Sequence, residues 1–109
     1  MTNNLYDTAK RANAIEDEIG LTLDDVLNKF TQEVGEFNDA VQKYRGRYCK
    51  QRTEDTSKVQ DELGDVLMNL CSIVYRLGLD PNKFAEYAAS TLGKFEERKE
   101  LYKGNMRRD

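Results

Sequence analysis

Apolar residues recur at helical spacing in four stretches of the chain. The first is Leu5, Ala9, Ala12, Ile15 and Ile19, a thin stripe because two members are Ala, and Gly20 is a plausible stop. The second is Leu23, Val26, Leu27, Phe30, Val34, Phe37, Val41 and Tyr44. The third is Val59, Leu63, Val66, Leu70, Ile73, Val74 and Leu77, closed by Gly78. The fourth is Phe84, Tyr87, Ala88, Thr91, Phe95 and Tyr102, with Lys94 and Arg98 flanking or entering the stripe. These patterns predict helices over 5–19, 23–44, 57–77 and from 81 to about 102. Start signals agree with them. Thr22 precedes Asp24 and Asp25 as in a capping arrangement, Thr56 or Ser57 can cap the third helix, and Asp80-Pro81 places an N-cap before a first-turn Pro.

Between the second and third helices the period fails. Residues 45–55 hold Gly46 and a run of charged and polar groups, which reads as a solvated loop. A sharper reading makes it a basic flap over a phosphate site, using Arg45, Arg47, Lys50 or Arg52. Residues 1–4 are a polar start, and 103–109 a frayed polar tail. Charged residues make up 34% of the chain and Pro81 is the single proline, which suits helices and not a sandwich. The expected fold is all-α and four-helix-bundle-like. The 109 residues fit one domain over 1–109, small enough that association with further copies would complete its core.

The polar positions hold a second pattern. Glu33 and Glu36 are spaced i, i+3, and so are Glu62 and Asp65, so each pair shares one face of its helix. On a wheel of ~100° per residue, each pair sits about 100° from the centre of its apolar stripe, on the same-handed side. Antiparallel packing of stripe on stripe then brings both pairs to one edge of the interface. Four carboxylates repel one another unless a cation joins them, and an all-oxygen site suits Mg²⁺ or Mn²⁺. The chain has no His, which removes the commonest zinc ligand. Gly35 and Gly64 each precede the last acid of a pair, and a helix-interior Gly costs about 1 kcal/mol relative to Ala. That cost implies close helix approach or space for a ligand.

Net charge is −3, so there is no global basic field for duplex nucleic acid. Cys49 and Cys71 are too few for a disulfide framework; Cys71 reads as core and Cys49 as a loop thiol. Nothing reads as a signal peptide or a membrane span, so the expectation is a soluble, reducing, cytoplasmic protein.

Glu33-x-x-Glu36, a gap of 25 residues and Glu62-x-x-Asp65 resemble the signature of the MazG-like, all-α nucleoside triphosphate pyrophosphohydrolases. The local wording "EVGEF" and "DELGDVL" is similar too, and the likeness runs roughly from Leu23 to Tyr102. The resemblance implies hydrolysis of an NTP or dNTP between the α and β phosphates, with Mg²⁺ held by Glu33, Glu36, Glu62 and Asp65. It implies substrate contacts from Asn69, and phosphate contacts from Lys94 and Arg98, in a helical fold completed as a homodimer or homotetramer. Gln32 departs from the family, many of whose members have Glu there. Phe30, Phe37 and Tyr44 are candidate stacking groups for the base, or plain core. Two rivals stand beside this reading: a phosphoribosyl-ATP pyrophosphohydrolase-like enzyme, and a non-catalytic helical adaptor that uses its faces to oligomerise.

Overall fold

The computed structural model describes residues 4–47 and 55–106. The order is α1 (Leu5–Glu18), α2 (Leu23–Tyr44), α3 (Ser57–Arg76), a 3₁₀ turn at Pro81–Lys83, and α4 (Phe84–Met106). Among the described residues there is no strand, as the periodicity requires.

Local chemistry sets the helix ends. Asn4, read from sequence only as part of a polar start, caps α1: its side chain accepts from the Asp7 amide at 2.8 Å. Thr22 and Asp25 form a complete capping box at the start of α2. At α3 the cap differs from expectation. Thr56 makes no side-chain cap, and the Asp55 carboxylate instead accepts from the Ser57 amide at 2.9 Å. Asp80 accepts from the Asn82 amide and Pro81 follows it, as the sequence predicts. Gly20 and Gly78, with φ of 80° and 79°, take the left-handed conformation just past α1 and α3, which a side chain would resist. The last helix runs to Met106, past the end expected from the pattern; the placement of 107–109 is outside the described residues. So are Cys49, Lys50 and Arg52 of the loop.

The packed core is α1, α2 and α3, with α2 on α3 and α1 across α3. Glu16, six residues before the Thr22 cap, contacts Ser72 and Arg76 near the end of α3. The start of α2 therefore lies beside the end of α3, and the two run antiparallel. The seam differs from stripe on stripe. Along α2 the inward line is Val26, Phe30, Glu33, Phe37, Ala40 and Tyr44; along α3 it is Val59, Glu62, Val66, Asn69 and Ile73. Both helices are turned about 50° from the expected orientation, toward their acids. Leu27, Val34, Leu63 and Leu67 are left 40–41% exposed on the far side of the stripe. A stripe this wide can serve two contacts, and the seam uses only one of them.

The inward face of α1 is Ala9, Ala12 and Glu16, while Ile15 and Ile19 of the expected stripe point outward. Two Ala side chains permit close approach to α3. Glu16 then accepts hydrogen bonds from the fully buried Ser72 hydroxyl and, at 3.1 Å, from Arg76 Nη2. Arg76 also reaches Asp17 at 3.4 Å. Tyr6 ties the other end of α1 down: its ring meets Tyr75 edge-on at 5.4 Å, and its amide donates to Asn82 Oδ1 at 3.1 Å.

Helix α4 stands apart. It packs against the 3₁₀ turn and, among the described residues, against none of α1, α2 or α3. The radius of gyration is 17.6 Å, against about 13 Å for a compact chain of this length, because α4 projects. Leu92, Phe95 and Leu101 are more than half exposed along it.

Candidate metal centre

The turn of the seam toward the acids decides the site. Glu33 reaches it from the middle of α2, and Glu62 and Asp65 reach it from the first half of α3. One oxygen from each of these three carboxylates lies within 4.8 Å of the others. Glu62 is buried, Glu33 half-buried and Asp65 exposed, so the cluster opens from the seam to the surface. Glu36, one turn beyond Glu33, is exposed and outside this group, although the sequence pairs it with Glu33. It still acts on its neighbour. Burial, then the Glu36 charge and a hydrogen bond with Glu36, then the charges of Asp65 and Glu62, push the Glu33 carboxyl above its ordinary value.

The buried oxygens are short of donors. Glu33 Oε2, Glu62 Oε2 and Asn69 Oδ1 are all enclosed and accept no hydrogen bond. Asn69 is oriented by its Nδ2, which donates to the Asp65 backbone carbonyl at 2.8 Å, leaving Oδ1 without a partner. Buried polar atoms are normally paired, so orphaned oxygens on two of the three clustered carboxylates, with the orphaned Asn69 Oδ1 on the same face of α3, fit a cation. All the ligand atoms are oxygens, which matches a hard divalent ion of the Mg²⁺ type. Cys71 lies on another face of α3, about 180° from Glu62, where burial raises its thiol.

Lys58, which the sequence reading passed over, pairs with Glu62 Oε1 at 2.7 Å. Its i, i+4 spacing to Glu62 was the available signal. Glu16, Ser72 and Arg76 were also missed, because a polar group within an apolar pattern gives no sign of a partner so distant in sequence.

Lys94 and Arg98 are exposed on α4, and within one chain the fold does not bring that helix to the acids. Arg45 and Arg47 of the proposed flap are exposed too. Neither Gly35 nor Gly64 makes room for a packed neighbour: a Cβ on either would meet nothing within 4 Å. Close helix approach inside the chain is therefore not their reason.

No curated protein and no solved structure matches the chain. The family profile of the MazG nucleotide pyrophosphohydrolase domain matches residues 21–102, which takes in α2, the acid cluster, α3 and most of α4. With three-quarters of its length inside that match and its helices and acids arranged as described, the chain belongs to the MazG nucleotide pyrophosphohydrolase domain family.

Proposed function

We propose that the protein is a Mg²⁺-dependent hydrolase of nucleoside or deoxynucleoside triphosphates, with Mn²⁺ as an alternative ion, releasing the monophosphate and pyrophosphate. The observation that carries this reading is the set of orphaned acceptors on Glu33, Glu62 and Asn69 at a carboxylate cluster inside the family match. Glu33, Glu62 and Asp65 would hold the ion, and Glu36 could join them by a side-chain rotation from its exposed position. When bound, such an ion supplies the positive charge a polyphosphate requires and makes a water more acidic. A carboxylate of the set takes the proton as water adds to phosphorus, and the α–β bridging oxygen leaves with pyrophosphate. Asn69 Oδ1, buried and without a partner on the α3 face that carries Glu62 and Asp65, would accept a hydrogen bond from water or a sugar hydroxyl.

Helix α4, which bears Lys94 and Arg98, packs on neither α2 nor α3 of its own chain, which supports assembly as a homodimer or homotetramer with these two residues contributed by another copy. The exposed apolar face of α4 and the uncovered side of the α2 and α3 stripes support the same reading. Among the described residues, no helix is long and apolar enough to cross a membrane, in keeping with a cytoplasmic role in control of the nucleotide pool.

The test is a panel of NTPs and dNTPs, with phosphoribosyl-ATP alongside, in Mg²⁺ and in EDTA, scored for pyrophosphate against orthophosphate. Glu33→Ala and Asp65→Ala are each expected to abolish pyrophosphate release. Release that persists in both variants, or orthophosphate as the product, would remove the mechanism.

A further inference from the structure

The acid cluster carries a cation of its own. Lys58, Glu62, Asp65 and Asn69 follow one another at i, i+4, i+7 and i+11, so all four lie along one face of α3. The Lys58 ammonium takes Glu62 Oε1 at 2.7 Å, while Glu62 Oε2 is enclosed and unpartnered. Glu62 thus offers one free oxygen and one covered by an amine. Asp61 and Glu36 also lie within the electrostatic reach of Lys58.

The helix dipole does not explain a lysine at this position. Lys58 is the second residue of α3, and the first turn contains no acid. The positive end of the helix dipole disfavours a cation there. The lysine side chain is 75% exposed, so it can swing away without disturbing packed atoms. A lysine ammonium is also a point charge on a flexible stem, easier to release than the two-pronged grip of an arginine. Exposed pairs at this spacing shift an equilibrium by only about twofold, far less than coordination of a divalent ion.

We propose that Lys58 is a tethered counter-ion of the centre, holding Glu62 Oε1 until a divalent cation displaces it. Lysine and metal then compete for one carboxylate. Lys58 sets the affinity of the centre for its ion and keeps Glu62 in place between occupancies. It is a positioning residue that acts through Glu62. The inference rests on the proposed metal centre, and the test separates the two.

Mn²⁺ binding to the intact protein, followed by the loss of free-ion paramagnetic resonance, gives the dissociation constant without any turnover. Lys58→Gln is expected to tighten Mn²⁺ binding by about two- to tenfold, the lower figure being the pair alone and the upper adding relief of charge repulsion. Lys58→Arg retains the charge and should bind no more tightly than the wild type. Lys10→Gln removes a charge from the exposed side of α1 and should leave the constant unchanged, which excludes an effect of net charge. Circular dichroism checks that each variant is folded. Equal or weaker Mn²⁺ binding by Lys58→Gln overturns the tethered counter-ion alone. Absence of Mn²⁺ binding by the wild type overturns the metal centre, and this inference with it.

Discussion

Replacing Glu33 by Gln removes one negative charge from the cluster at constant shape. With its oxygen within 4.8 Å of one on Glu62 and one on Asp65, the Coulomb repulsion from each neighbour is about 0.9 kcal/mol in a water-like medium and about 3.5 kcal/mol at an effective dielectric of 20. Asp65 is exposed and salt screens it, and the Lys58 ammonium offsets the Glu62 charge, so the lower figure applies to both pairs. A net gain of about 1–2 kcal/mol in metal-free stability follows, and the new amide can also donate to an orphaned oxygen such as Glu62 Oε2. For a domain of this size that is a rise in melting temperature of roughly 4–12 °C.

With metal the ordering narrows or inverts. On the proposed metal centre the wild type should gain about 2.7 kcal/mol at a hundredfold excess over the dissociation constant, whereas the variant would lack one of the proposed ligands. The pH dependence gives a second sign. The folded state holds the Glu33 proton more tightly than the unfolded chain does. The stabilising contribution of this group is therefore complete below its ordinary value of 4.5 and is lost as pH rises through the raised folded value. The advantage of the variant in EDTA should accordingly be small near about pH 4 and grow toward about pH 7. Urea unfolding in EDTA and in Mg²⁺ across that range measures all of this. A Glu33→Gln protein less stable than the wild type in EDTA at neutral pH would refute the reasoning.

Other expectations follow from particular contacts. Glu16→Ala leaves the Arg76 guanidinium nearly buried without its main partner and should cost about 3 kcal/mol, with Ser72→Ala costing about 1–2 kcal/mol, both read by denaturant midpoints. Gly35→Ala should stabilise by about 0.5–1 kcal/mol without changing turnover, since its side is open; the same stability gain with lost turnover in Gly64→Ala would mark that glycine as a place where substrate or another copy comes close. Asp25 and Asp55 have depressed values from capping hydrogen bonds, so their contribution is present above the ordinary aspartate value of 3.8 and disappears as pH falls through the folded values. Asp25→Ala should flatten that acid limb of a stability curve. Phe95→Asp in the middle of α4 should dissociate the proposed assembly, seen as a fall to monomer mass by light scattering; an unchanged oligomer mass would show that α4 is not the contact.

The helices could be read because their causes are local: apolar spacing, the Thr22–Asp25 box, and Gly20 and Gly78 at the stops. How far each helix is rolled about its axis could not. The stripes on α2 and α3 are wide, and nothing in their spacing says which half meets its neighbour. That is why the stripe reading puts Val34 and Leu63 in the interface that Glu33 and Glu62 occupy. The meeting of acids from two helices survived the error, since both helices roll the same way. The separation of Glu36 from the other three depends on side-chain rotamers, which spacing does not encode. Glu16 and Ser72, 56 residues apart, carry no mutual sign in the sequence. The placement of Lys94 and Arg98 is set by what α4 packs against, and the seam of a single chain provides no such partner.

The isolation of α4 bears on how the protein would behave in a cell. A helix of 23 residues whose apolar side has no cover is held mainly by its own backbone bonds, and so frays easily. Its amides should exchange with solvent at rates that depend on how much protein is in the tube. If docking of this helix completes the working molecule, output becomes a steep function of abundance: silent when the chain is scarce, switched on as copies accumulate.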